Sequence, residues 1–133
     1  MTAPRSAFSP ARLSPALLGA VFAGGTAGSL LRWALQLGFP AGGAGAALMT
    51  VAANTAGVFA MAALGPVVGR RSPRVQALVN PGFFGGFTTF SAVMLLTLQP
   101  VGILVLAVSV AAAWAAAVTG QRLGARFAGR EAR

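Results

Sequence analysis

The stretch Asn80-Pro81-Gly82-Phe83-Phe84-Gly85-Gly86-Phe87-Thr88-Thr89-Phe90-Ser91 lies inside a long apolar region, and its reading decides the fold. It holds three glycines, one proline, four phenylalanines and three hydroxyls. Proline removes a backbone donor and glycine weakens a helix, so a helix entering here is expected to break and restart. In water such a stretch is an ordinary loop. In a bilayer, broken backbone survives only where it is buried in protein or lines a polar cavity. Carbonyls freed at such a break are ready ligands for a cation.

Composition places the stretch in a membrane. Hydrophobic residues make up 56% of the 133 and charged residues 8%, with a mean hydropathy of +0.78, whereas a soluble domain carries roughly 25% charged residues. The sequence predicts an all-α membrane protein, one domain of four transmembrane helices at about 14–36, 44–67, 75–99 and 101–121, the third broken near its middle. A charged start before an apolar run is also the pattern of a signal peptide. Residues 13–36 are long enough to span, and three more such runs follow, so we read the first run as a helix of the domain.

Each span carries a few polar residues on which function can rest. In the first, Gly24 and Gly28 form a small-xxx-small pair that lets another helix approach closely. Arg32 and Trp33 near its far end read as an interfacial anchor; the alternative is an arginine facing a water-filled vestibule that draws in anions. In the second, Thr50, Asn54, Gly57 and Met61 share a face by 3–4 spacing. Asn54 either bridges helices by hydrogen bonding or lines a pore. In the fourth, Ser109 and Thr119 either bond back to their own helix or face a path.

All ten basic residues are arginine, and the one acid is Glu131. Arg5 and Arg12, then Arg70, Arg71 and Arg74, then the four arginines at 122, 126, 130 and 133 fall on one side of the four-span scheme. The positive-inside rule then puts both termini in the cytoplasm, with the chain in the cell membrane. Because the arginines flank apolar spans, the +9 charge does not form a nucleic-acid face. With no His, Cys, Lys or Tyr and a single acid in the tail, no nucleophile–base or general-acid pair can be assembled. The chain does not read as an enzyme. Proton-coupled transport lacks its usual intramembrane carboxylate or histidine. What remains is passive movement of an anion or small polar solute past Asn, Thr and Ser groups and phenyl edges, which are electropositive.

The run Gly82–Ser91 resembles the signature of the CrcB/Fluc fluoride channels. Gly25-Thr26-Ala27-Gly28-Ser29-Leu30-Leu31-Arg32 looks like that family's Gly/Ala-rich run ending in arginine, and Thr50 to Gly57 looks like its Thr-to-Asn-to-Gly pattern. The resemblance covers nearly all of residues 15–125. It implies an antiparallel, dual-topology dimer with two narrow fluoride pores and passive export of cytoplasmic fluoride. It also implies one central structural sodium ion held by backbone carbonyls, here those of Gly85 and Thr88 from each subunit. The pore asparagine maps to Asn54, the first pore phenylalanine to Phe90, the adjacent hydroxyl to Ser91 and the vestibule arginine to Arg32. Thr50, Thr89 and Ser109 are further pore candidates.

The sequence departs from that pattern after Phe90. Ala92, Val93 and Met94 stand where the family carries two hydroxyls around a second phenylalanine, and Val105 stands at the family's fourth-helix tyrosine. A head-to-tail homodimer must insert one sequence both ways, which requires a weak arginine bias, whereas the bias here is strong. The expectation is therefore a chain that inserts one way and pairs with an oppositely oriented, related subunit. Two rivals stand beside this reading. A small drug exporter would want an acid in the first span, and none is present. A structural subunit that stabilises a partner without conducting is the other.

Overall fold

The computed structural model describes residues 14–39, 43–98, 100 and 102–130. The helices are α1 (Pro15–Gln36), α2 (Gly43–Val68), α3 (Pro73–Ala77), a π-helical segment (Leu78–Phe84), α4 (Gly85–Phe87), α5 (Phe90–Leu96) and α6 (Gly102–Arg130). No strand occurs among the described residues. The basic arm, Gln99, Glu131 and Arg133 lie outside them.

Among the described residues, three stretches are long and apolar enough to cross a membrane by length and composition: Gly43–Val68, Pro73–Leu96 and Gly102–Gly129. The first expected span forms a 22-residue helix, about 33 Å at 1.5 Å per residue, yet is not among them. Its glycines together with Thr26, Ser29 and Arg32 dilute its hydropathy. Among the described residues, three of the four anticipated spans thus stand on apolarity alone. The last helix also runs nine residues beyond the expected end at 121.

The helices associate as two groups. α1 packs along α3, the π segment and α4, while α2 packs along α6 and touches α1 little. Both contacts are close backbone approaches. Gly24 and Gly28 are buried, and side chains there would collide with the backbone of Leu78, Phe83 and Phe87. On the other side, a Cβ at Gly120 would come 2.6 Å from the Phe59 carbonyl, and one at Gly124 would meet the backbone of Ala63. The small-residue pair anticipated in α1 therefore does the work expected of it, and a second pair in α6 mirrors it. Large buried side chains are few: Phe84, Phe87 and Val93 lead a core otherwise made of small residues, while Phe22, Leu98, Ile103 and Trp114 are more than 70% exposed. Such an apolar exterior suits lipid or another protein rather than water.

The interruption of the third span lies where the chain passes from one group to the other. Pro81 supplies no N–H, and the helix accommodates it as a π turn from Leu78 to Phe84 without breaking. The backbone stays helical through Gly85 and Gly86, so the glycine pair is not itself the break. The break follows at Thr88 (φ −83°, ψ 153°) and Thr89 (φ −144°, ψ 117°), both extended. Before it the chain packs on α1; after it, α5 packs on α2 and α6.

Candidate functional site

Two threonines make the break. The Thr88 N–H and hydroxyl both donate to the Phe84 carbonyl, at 3.0 and 2.8 Å, which closes the incoming helix. Thr89 caps α5, its hydroxyl accepting the Ala92 N–H at 3.3 Å. An extended residue between two helices leaves backbone groups without ladder partners. Asn54 of α2 supplies them: its Nδ2 donates to the Thr89 carbonyl and its Oδ1 accepts the Thr89 N–H, each at 2.8 Å. Because a backbone N–H can meet only an oxygen, this pairing fixes the orientation of the amide. One Nδ2 hydrogen remains for another partner. Asn54 therefore bridges helices, and it also lines a cavity.

That cavity, about 210 Å³, lies between α2, α5 and α6 and is open on one side. Asn54, Thr88, Thr89, Phe90 and Ser109 line it together. The Ser91 hydroxyl pairs with that of Thr89 at 3.2 Å, so a short chain of hydroxyls runs from the cavity onto the start of α5. Ser109 donates back to the Val105 carbonyl at 2.7 Å, which leaves its oxygen as an acceptor. The remaining wall is apolar, with Val58, Val93, Leu106, Val110 and Ala113. Val93, at 4% exposure, occupies the position where a second ring was anticipated.

Only one of the four phenylalanines of the motif belongs to this wall. Phe83 meets Phe84 edge-on, with ring centroids 5.3 Å apart, and stacks on Phe87 at 5.9 Å. These three pack between the helices. Phe90 lines the cavity mouth with its ring 72% exposed on the surface of the chain.

Thr50 is buried and donates to the Ala46 carbonyl at 2.9 Å, away from the cavity. Arg32 lies in a different place, beside an open depression of about 600 Å³ that it shares with Thr26, Ser29 and Trp33. Its Nε is buried without a partner. The structure thus gathers Asn54, Thr88, Thr89, Phe90 and Ser109 around one cavity and leaves Ser91, Gly85, Thr50 and Arg32 outside its lining.

Gly85 is exposed, with open space where a Cβ would go. In a continued helix the Thr89 N–H would close on the Gly85 carbonyl; here it goes to Asn54. Among the described residues neither the Gly85 nor the Thr88 carbonyl accepts a hydrogen bond. The neighbouring Gly86 carbonyl accepts the Ser29 hydroxyl at 3.3 Å, a contact that no periodicity in the sequence announced. His, Cys, Asp or Glu clusters able to hold a metal are absent among the described residues.

The model of the CrcB-like protein family (Camphor Resistance, CrcB) matches residues 19–121. The chain belongs to the CrcB-like family. "Fluoride-specific ion channel FluC" of Ruegeria pomeroyi is 37% identical over 121 residues, which are 86% of this chain and 92% of that protein. "Fluoride-specific ion channel FluC 2" of Bacillus subtilis is 37% identical over 122 residues, again 86% and 92% of the two chains. "Fluoride-specific ion channel FluC" of Rhizobium leguminosarum bv. trifolii is 44% identical over a shorter 85 residues, 58% and 63%. Family membership and the apolar helices together make this CrcB-like chain a multi-pass membrane protein. It is a member of a family of ion channels and not an enzyme.

Proposed function

We propose that the chain is a subunit of a fluoride-selective channel that lets cytoplasmic fluoride leave the cell passively. The observation that carries this is the cavity at the helix break, where Asn54, Thr89, Phe90 and Ser109 converge. An anion leaving water needs its hydration replaced. The free Nδ2 hydrogen of Asn54, the hydroxyls of Thr89 and Ser91 and the positive edge of the Phe90 ring are the groups that offer this. Arg32, with its unpaired Nε beside an open depression, draws anions toward the protein rather than contacting them at the break.

The exposed Phe90 and the exposed Gly85 call for a second subunit, and we read the assembly as an antiparallel dimer. In it, α1 also spans, its polar residues covered by protein. The unpartnered carbonyls of Gly85 and Thr88 fit a sodium ion, which takes oxygen ligands; two from each subunit would hold it. The ion would supply fixed positive charge that binds the two broken helices together, without being transported. The strong arginine bias supports insertion in one orientation, both termini cytoplasmic, with an oppositely oriented homologous subunit as partner.

The reading is tested by efflux from proteoliposomes carrying the chain with such a partner. Phe90→Ala leaves folding intact, because the ring is 72% exposed, and lowers fluoride efflux by roughly two- to tenfold, the worth of one ring-edge contact. Unchanged efflux in both Phe90→Ala and Asn54→Ala would favour the second reading, a structural subunit whose partner holds the only working pore. The apolar wall and buried Val93 are what favour that alternative.

A further inference from the structure

The last turns of α6 are not used by anything described so far. The apolar part of this helix ends at Gln121, yet the helix continues to Arg130. Its 29 residues measure about 43 Å, against a hydrocarbon core of about 30 Å. The final turns therefore reach the headgroup level or beyond while staying helical.

Packing keeps them so. Gly120, Gly124 and Ala128, four residues apart, are buried; the first two lie against the backbone of Phe59 and Ala63 in α2. At about 100° per residue, Arg122 and Arg126 stand about 200° around the helix from that buried row. They face away from the protein and are exposed. Leu123 and Phe127 form an adjoining row, 37% and 51% exposed. Arg130 continues the four-residue spacing in the sequence. A rigid helix thus presents a line of guanidinium groups beside an apolar row at the depth where a bilayer places its phosphates. No acid occurs among the described residues, so nothing negative there answers Arg122 and Arg126.

We propose that Arg122 and Arg126, with Phe127 and Leu123 beside them, form a docking surface for the phosphodiester headgroup of an anionic phospholipid. Arginine meets phosphate through two parallel N–H···O bonds, which a lysine cannot reproduce, and the chain uses no lysine anywhere. The Phe127 ring and Leu123 lie against the upper acyl chain while the guanidinium groups hold the headgroup. The proposal needs only that the chain spans a membrane and is independent of what the channel conducts.

The test uses the full chain in a neutral detergent, titrated with short-chain phosphatidylglycerol or with phosphatidylcholine of the same chain length, with the melting midpoint as readout. Phosphatidylglycerol should raise the midpoint and phosphatidylcholine should not. R122Q/R126Q should shift the phosphatidylglycerol concentration required upward by roughly 30-fold, two arginines' worth. R122K/R126K should fall between that variant and the parent. R71Q/R74Q, which removes the same charge from the 69–74 loop, should leave the response as it was. Circular dichroism of each variant checks that the helix is retained. A response that survives R122Q/R126Q, that phosphatidylcholine or inorganic phosphate reproduces, or that R71Q/R74Q removes equally, would overturn the site.

Discussion

Asn54 and Thr89, one on an unbroken helix and the other at the centre of a break, are joined by two hydrogen bonds of 2.8 Å. The asparagine amide takes the place of the helical ladder that Thr89 has lost. Replacing it by alanine leaves an N–H and a carbonyl unpaired inside the protein. Each such loss costs about 1–3 kcal/mol in water-soluble proteins and less in membranes. Asn54→Ala should therefore lower stability by about 2 kcal/mol in a denaturation series in detergent. Asn54→Asp should not rescue the loss, since an ionised carboxylate cannot donate to the Thr89 carbonyl and places an unpaired charge beside it. Equal stability of Asn54→Ala and the parent protein would show that the clamp does not hold the break.

The two neighbouring glycines of the motif should respond in opposite ways. A Cβ at Gly86 would run into the backbone of Gly25, while at Gly85 it meets nothing within 4 Å in the single chain. Gly86→Ala should thus unfold the α1 contact, with helix content and melting midpoint both falling. Gly85→Ala should leave the subunit folded and act only on the assembly, reducing the fraction paired with an oppositely oriented homologous subunit in size-exclusion chromatography. A Gly85→Ala protein that is as dimeric as its parent would remove Gly85 from the subunit interface.

The contact between α2 and α6 should be equally sensitive at one row of small residues. Gly124→Leu places a branched side chain against the backbone of Ala63, and overpacking of this kind costs about 1–3 kcal/mol or more. Leucine at the exposed Gly129, where nothing lies within 4 Å, should be tolerated. The measurement is the melting midpoint of the two variants side by side.

Orientation is open to direct measurement. Reporters fused to the C-terminus, one active only in the cytoplasm and one only outside, should give signal on the cytoplasmic side alone. Equal signals would contradict one-way insertion and return the chain to homodimers of mixed topology.

Much of this arrangement is visible in the sequence, and the rest is hidden for physical reasons. Apolar runs mark the helices, and the Gly24–Gly28 pair announces a close neighbour because helix spacing is periodic. The motif from Asn80 to Ser91 announces an interruption, but not its place. Proline and glycine lower helix propensity locally, whereas tertiary bonding decides where the backbone opens. Here a π turn absorbs Pro81, and the bonds between Asn54 and Thr89 pull the break to the threonines. Pairing between residues 35 apart leaves no periodic trace. The length of α6 was missed because hydropathy falls at Arg122, although Gly124 and Ala128 go on packing. Arg32 reads as one of the site residues in a line of sequence, and in space it lies apart from the cavity.

The central claim is that the chamber at the Asn54–Thr89 break is part of a fluoride path. The most direct measurement is efflux from liposomes followed with fluoride- and chloride-selective electrodes, using the chain reconstituted alone and together with an oppositely oriented homologous subunit. The account predicts rapid fluoride efflux from the paired preparation, little from the chain alone, and no chloride efflux from either. Fluoride retained in both preparations, or chloride leaving as fast as fluoride, would contradict it.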